Sequence, residues 1–328
     1  MSAPLYFEGF RTAVARMAEG LIRPGEPATP AEIAAAERAL HRRLPPAYAA
    51  FLASFDGADL FHESLLLCGV GPGAARGLVE ANRPPAPSLL EPGELVIAEA
   101  ASGDRYALGA GEDPPVVHLR AGSDERWRCG SSFSRWLDAV LAREQLLYDS
   151  EGEFRLEAFE ADGEELTAPF ALRQAERALR KDPDSAESHH DLGVAHRRMG
   201  KLDRALASFT RAAELDPANP WPSFDRARTE LALEEAEAAA ASFRRTAELV
   251  PGAEGARFLA WSARAFRAAG REDQAALARQ EALARDPELA GALRHAVEAA
   301  EEPEARAEAE SLADALEPPK KRLPVLRR

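Results

Sequence analysis

Four groups of residues in this 328-residue chain have types and spacing that could do chemistry. Gly69-x-Gly71-x-x-Ala74 follows the apolar run LLLC and precedes a segment that could be helical. Glycines so spaced let backbone approach a pyrophosphate at a helix N-terminus, as in dinucleotide-binding turns. Here Pro72 interrupts the turn, and RPPAPSLLEPGE stands where an acidic-ended strand would be needed, so the segment reads as a glycine-rich surface loop. A hydrolase needs a nucleophile, a base and an orienting acid. Ser131 and Ser132 stand at an expected helix cap, no G-x-S-x-G elbow is present, and Cys68 and Cys129, without a CxxC pair, read as buried thiols in a reducing compartment. His189, His190, Asp191 and His196 look like metal ligands, but His189 and His196 are seven apart, where a helix-borne zinc pair prefers four. The remaining histidines, His41, His62, His118 and His295, are scattered. No catalytic residue, metal site or cofactor is expected, and the chain reads as a non-enzyme.

The elements that carry these residues fall into two styles. Phe7, Phe10, Val14, Met17 and Leu21 form the apolar stripe of a first helix, ending before a loop, IRPGEPATP. Thr29, Pro30 and Glu32 spell a capping box for a second helix, and Pro45 opens a third carrying Tyr48, Phe51, Leu52 and Phe55. After Asp56-Gly57 come short apolar runs bounded by turns, LLLCGV, ELVIAEA, RYALG, PVVHLRA and ERWRCG, which read as strands. SSFSRWLDAVLARE is a closing helix. Helices, a mostly antiparallel sheet and a closing helix make an α+β domain.

Prolines at 183, 217, 251 and 287, spaced 34, 34 and 36, mark helical hairpins in the second half. The unit from Ala186 to Asn219 has Gly193, Ala205 and Ala212 where two helices must approach closely, and Phe209 to fill the space between hairpins. It closely resembles the tetratricopeptide repeat, with His189 and His196 where aromatics are usual. Pro220 to Ala253 is a weaker copy, and a third runs from about Ala256 to Leu289, its two extra residues assigned to the turn from Gly252 to Gly255. PFALRQAERALRKDP reads as an N-terminal half-repeat, and residues 288–316 as a capping helix or helix pair.

PATPAEIAAAERALHRRLPPAYAAFLASFDG is similar to the opening of the SUKH superfamily, which includes the fungal Smi/Knr-type regulators and bacterial immunity proteins. Glu37, Leu44, Pro45, Tyr48, Phe51, Asp56 and Gly57 carry the resemblance, followed by Gly103-Asp104 and Ser132-Phe133. Expected boundaries are a SUKH-like α+β domain over 1–148, an acidic linker over 149–168, an all-α repeat solenoid over 169–316 and a basic tail over 317–328. The resemblance implies a binder that neutralises or senses a partner protein, most plausibly a toxin, and the cysteine usage a cytoplasmic one; the alternative is a scaffold recruiting a peptide segment through its repeats. In tetratricopeptide repeats the first helix of each unit lines a groove, which here would include Glu187 and His190. Arg197, Trp221, Arg228, Arg257, Trp261, Arg264 and Arg267 would form a basic, aromatic stripe for an acidic, partly apolar segment.

Charge agrees with a protein partner. Lys+Arg total 41 against 55 Asp+Glu, a net −14, which disfavours nucleic acid as main ligand and an anionic membrane surface alike. The acid-rich body would suit a basic toxin surface such as a nuclease cleft. No window approaches the ~18 apolar residues of a membrane span.

Overall fold

The computed structural model describes residues 7–83, 89–163 and 165–317; the basic tail, apart from Glu317, lies outside them. The described residues divide into two compact units, one comprising Met1–Gly200 with Glu214–Asp216 and the other Lys201–Ala213 with Pro217 onward.

The first unit opens with helix α1 (Glu8–Arg16), then strand β1 (Ile22–Pro24), α2 (Pro30–Ala39) and α3 (Pro46–Phe55). Strands β2 (Ala58–Leu60) and β3 (Leu65–Leu67) precede the short α4 (Leu78–Ala81). Strands β4 (Leu95–Ala100), β5 (Arg105–Leu108), β6 (Val116–Leu119) and β7 (Arg126–Gly130) follow, then α5 (Phe133–Glu144), α6 (Ala168–Lys181) and α7 (Ala186–Arg198). All seven strands form one antiparallel sheet in chain order. Phe7, Phe10, Phe51, Phe55, Tyr48 and Phe133 pack edge to face above it in the core.

The expected helices at 30 and 45 form for the reasons the sequence gives. Thr29 and Glu32 complete a reciprocal capping box, and Pro46 starts α3 where a missing N–H costs nothing. Asp56 ends α3 in the left-handed region, with φ 38°, and Gly57 follows at 85°. The loop expected after the first helix differs: α1 stops at Arg16, and Ile22–Pro24 pair with β2. Three residues carrying a proline give no period-2 signal, and Pro24 is tolerated because β1 is an edge strand.

β7 is the opposite edge. There the chain's own repeat segment supplies the missing hydrogen-bond partners. Asp182, ending α6, accepts from the Ser131 N–H at 2.6 Å and hydroxyl at 2.7 Å. Ser185, capping α7, donates to the Cys129 carbonyl at 2.9 Å, and Asp216 accepts from the Arg128 N–H at 3.1 Å. Two Asp-Pro turns, 34 residues apart in sequence, thus close one strand edge. Between α5 and α6, residues 149–163 form short turns, including a 3₁₀ turn at Leu156–Ala158.

In the second unit, α8 (Leu202–Leu215, of which residues 202–213 belong to this unit) is followed by α9 (Pro220–Ala232), α10 (Ala236–Leu249), α11 (Gly252–Ala268), α12 (Glu272–Arg285), α13 (Leu289–Ala299) and α14 (Pro303–Leu316). α9 with α10 and α11 with α12 are helical hairpins, and α13 with α14 is the capping pair. Ala227, Ala239, Phe243, Ala260 and Ala282 are buried at the close approaches. The residues at 252–255 are not a turn: they lengthen α11 to 17 residues, because Gly252 at φ 71° bends the chain directly into the helix.

Asp182→Ala removes the carboxylate from two donors at the β7 edge. It is expected to lower the unfolding free energy by about 1–3 kcal/mol and to accelerate amide exchange at Ser131. Equal exchange rates in the two proteins would count against the edge-closing role.

Candidate functional site

The glycine loop folds around an anion that the chain itself provides. The Asp56 carboxylate accepts from the Val70 N–H at 2.6 Å and the Gly71 N–H at 2.8 Å. A Cβ on Gly71 would lie 2.7 Å from Asp56 Oδ2, so glycine is needed for this internal contact. The donors a phosphate would use are engaged by a buried aspartate.

The nucleophile types are engaged as well. Ser131 Oγ donates to Asp182, and Ser132 Oγ accepts from the Arg135 N–H as the α5 cap. Burial pushes the Cys68 and Cys129 thiols well up, with Glu99 adding to it for Cys68 and Glu187 for Cys129. His189 Nε2 lies 3.0 Å from the Pro183 carbonyl, and the His190 ring packs on Trp127 at 4.5 Å. Among the described residues, no group of three His, Cys, Asp or Glu side chains is arranged to hold a metal ion.

The remaining signature residues are structural in their contacts. Glu37 accepts from the Leu44 N–H at 3.0 Å and pairs with Arg43 at 2.7 Å, fixing the chain between α2 and α3 around Pro45. Tyr48 donates to the Cys68 carbonyl at 2.6 Å, anchoring α3 to the end of β3. Phe51 and Phe133 are buried in the core. Gly103 turns at φ 88°, and Asp104 accepts from the Ala121 N–H at 2.8 Å, tying two neighbouring turns.

Sequence reasoning missed the centre of the charge arrangement. Tyr106, His118 and Trp127 stand opposite one another across β5, β6 and β7, one row on one face. α7 lies over that row and sets Glu187 against His118, Nδ1 to Oε1 2.6 Å, and His190 against Trp127. Asp104 meets His118 from the other side, 3.2 Å from Nε2. Burial pulls the His118 pKa down, but the charges and hydrogen bonds of Glu187 and Asp104 outweigh it and hold it above the ordinary value. Burial likewise raises the Glu187 carboxyl, yet His118, with Arg143 and Arg120, brings it to about 2. Asp191, one turn along, is raised by burial and by Glu187. A lone histidine in PVVHLRA gives no sign of this partnership, because Glu187 is 69 positions away.

The consequence for the groove is direct. Glu187 and His190, expected as groove positions, face the sheet. Arg197 is half-buried on α7 in the first unit. In the second, Trp221 is half-buried against Phe224 and Phe258, and Arg228 is exposed over the Phe224 ring. Trp261, expected with its ring exposed, is instead stacked on Phe243 and 6% exposed, with Arg264 over its ring at 4.9 Å. Arg257 pairs with Glu308 at 3.3 Å, and Arg267 donates to the Asp314, Ala315 and Glu317 carbonyls at the end of α14. The difference arises because α14 packs along α11 and takes up the helix face that would line an open groove.

A seven-stranded α+β domain followed by stacked helical hairpins, with its reactive groups engaged internally, is the architecture of an interaction protein. Residues 27–139 match the SMI1/KNR4 family (SUKH-1) and residues 186–219 match the tetratricopeptide repeat. The chain carries a SUKH-1 domain joined to tetratricopeptide repeats, both non-catalytic interaction domains. No curated protein matches it. Similar solved structures include residues 41 to the end of MamA from Desulfovibrio magneticus RS-1 (19% identical, covering 45% of this chain and 84% of that one, TM-score 0.33). The N-terminal domain of stress-induced protein-1 from C. elegans is 17% identical, with 39% and 93% covered and TM-score 0.29. The Yersinia enterocolitica type III secretion chaperone SycD, in complex with a peptide of the translocator YopD, is 20% identical, with 34% and 80% covered and TM-score 0.27.

The sign of the His118 and Glu187 shifts fixes a pH window. A raised histidine stabilises fully below its unfolded value of 6.5 and loses that contribution as pH rises through its folded value. A lowered glutamate stabilises above its unfolded value of 4.5 and loses it as pH falls through about 2. A double-mutant cycle of His118→Gln and Glu187→Gln is therefore expected to give its largest coupling between pH 4.5 and 6.5, decreasing at alkaline pH. A coupling independent of pH would exclude a charged pair.

Proposed function

We propose that the chain is a non-catalytic, cytoplasmic immunity-type protein that binds and neutralises a partner protein, a toxin. The observation that carries the reading is the internal engagement of the loop, serines and thiols that chemistry would recruit. Asp56 fills the glycine loop, Asp182 and the α5 cap hold the two serines, and the thiols are sealed in the core. What remains for function is surface, and the surface of a chain with net charge −14 suits a basic partner by electrostatic complementarity. Among the described residues no helix is long and apolar enough to cross a membrane, which agrees with this reading.

The alternative is a scaffold whose repeats recruit a peptide. The exposed Arg228 beside the half-buried Trp221 favours it, since a guanidinium next to an indole offers both a carboxylate fork and apolar area. Arg197, Arg257, Arg264 and Arg267 would extend that surface only by giving up or sharing their internal contacts.

Full-length chain used as bait, followed by titration of the captured protein's toxic activity, separates the readings. Immunity predicts stoichiometric inhibition. Scaffolding predicts capture without inhibition and its loss on Arg228→Glu with Arg264→Glu, at unchanged helicity. Inhibition that survives this charge reversal would place binding elsewhere than the repeat stripe.

A further inference from the structure

An acidic chain concentrates arginine in one place that partner binding does not explain. A cleft of about 500 Å³ opens beside the end of α1, the turns after α5 and the first half of α6, all in the first unit. Four arginines line it: Arg16, the last residue of α1; Arg155; and Arg173 and Arg177, one turn apart on α6. The carboxylate on its wall is Asp149, whose Oδ1 accepts from the Glu151 and Glu153 N–H groups, each at 2.9 Å, so it is turned into its own loop. Arg155 is held by the Tyr148 carbonyl at 3.0 Å and lies 3.4 Å from Glu157. Arg173 lies over the Phe170 ring at 3.9 Å. Among the described residues, Arg16, Arg173 and Arg177 make no ion pair.

Elsewhere the chain's surplus of carboxylates finds its arginines: Arg126 meets Glu94 at 2.6 Å and Arg244 meets Glu281 at 2.7 Å. Four guanidinium groups share the cleft with one lining carboxylate, and the excess of positive charge attracts a multiply charged anion. The planar fork of arginine matches phosphate bidentately. The volume lies within the range of about 300–1,000 Å³ that encloses small molecules. Met17 and Leu21 add an apolar wall.

We propose that this cleft binds a small organic diphosphate of the nucleoside diphosphate class. Arg16, Arg173 and Arg177 hold the phosphates, and Met17 contacts the organic part. Arg155 stays with Tyr148 and Glu157 and shapes the rim. The test of this site involves no partner protein.

Isothermal titration of the full chain with ADP, pyrophosphate and inorganic phosphate decides the matter. The expected result is one site, with ADP tightest, pyrophosphate next and phosphate weakest, weakening as salt is raised. Arg173→Gln with Arg177→Gln is expected to lower ADP affinity roughly tenfold or more, whereas Arg38→Gln, exposed on α2, leaves it unchanged. Should the double variant misfold by circular dichroism, Arg16→Gln on the opposite wall serves in its place with the same expectation. The proposal is overturned if ADP and pyrophosphate give no saturable heat at millimolar concentration, if binding survives the substitutions, or if a glutamate-rich peptide displaces ADP and binds more tightly.

Discussion

A sheet built in chain order leaves its last strand with one row of backbone groups unpaired, and such groups must find partners or invite another chain. In this protein the partners come from beyond the sheet, out of the repeat segment: Asp182, Ser185 and Asp216 close β7. The first unit therefore extends through Gly200 and takes up Glu214–Asp216. Once α7 is fixed at the β7 edge, its inward face must match the row Tyr106, His118 and Trp127, and the charges of Glu187 and His118 follow from that placement. A helix that would line a groove in a free-standing repeat array is here a layer of the α+β domain.

The sequence was legible where local chemistry decides structure. Thr29 and Glu32, Pro46, Ser132 and the apolar runs that became β3 to β7 each act through neighbours within a few positions, and the repeats through a period of 34. It was not legible where a long-range partner decides. Ile22–Pro24 become a strand only because β2 offers an edge. His118 looked scattered because its carboxylates come from Asp104 and Glu187, and Trp261 looked like groove because its burial depends on stacking against Phe243 of the preceding hairpin. The interrupted turn at Pro72 and the proline-rich stretch after it were visible in the sequence, while Asp56 filling the glycine loop needed the fold.

Both main polar features of the first unit turn a potential binding device inward. A loop of N–H donors holds an aspartate, and a histidine between carboxylates holds two elements together. The cleft at Arg16, Arg173 and Arg177 is the exception in kind: its four arginines outnumber the one carboxylate that lines it.

The closure of β7 also has a temporal side. The strand is complete at Gly130, but its last edge partner, Asp216, is synthesised much later. At about 5–20 residues per second, the edge stands open on the ribosome for roughly 4–20 s. Through that interval the strand's own composition must keep it from pairing with other chains, and the charge of Arg128 is of the kind that does so. Arg128, whose guanidinium later meets the Leu215 carbonyl, thus serves first as a guard of an unfinished sheet.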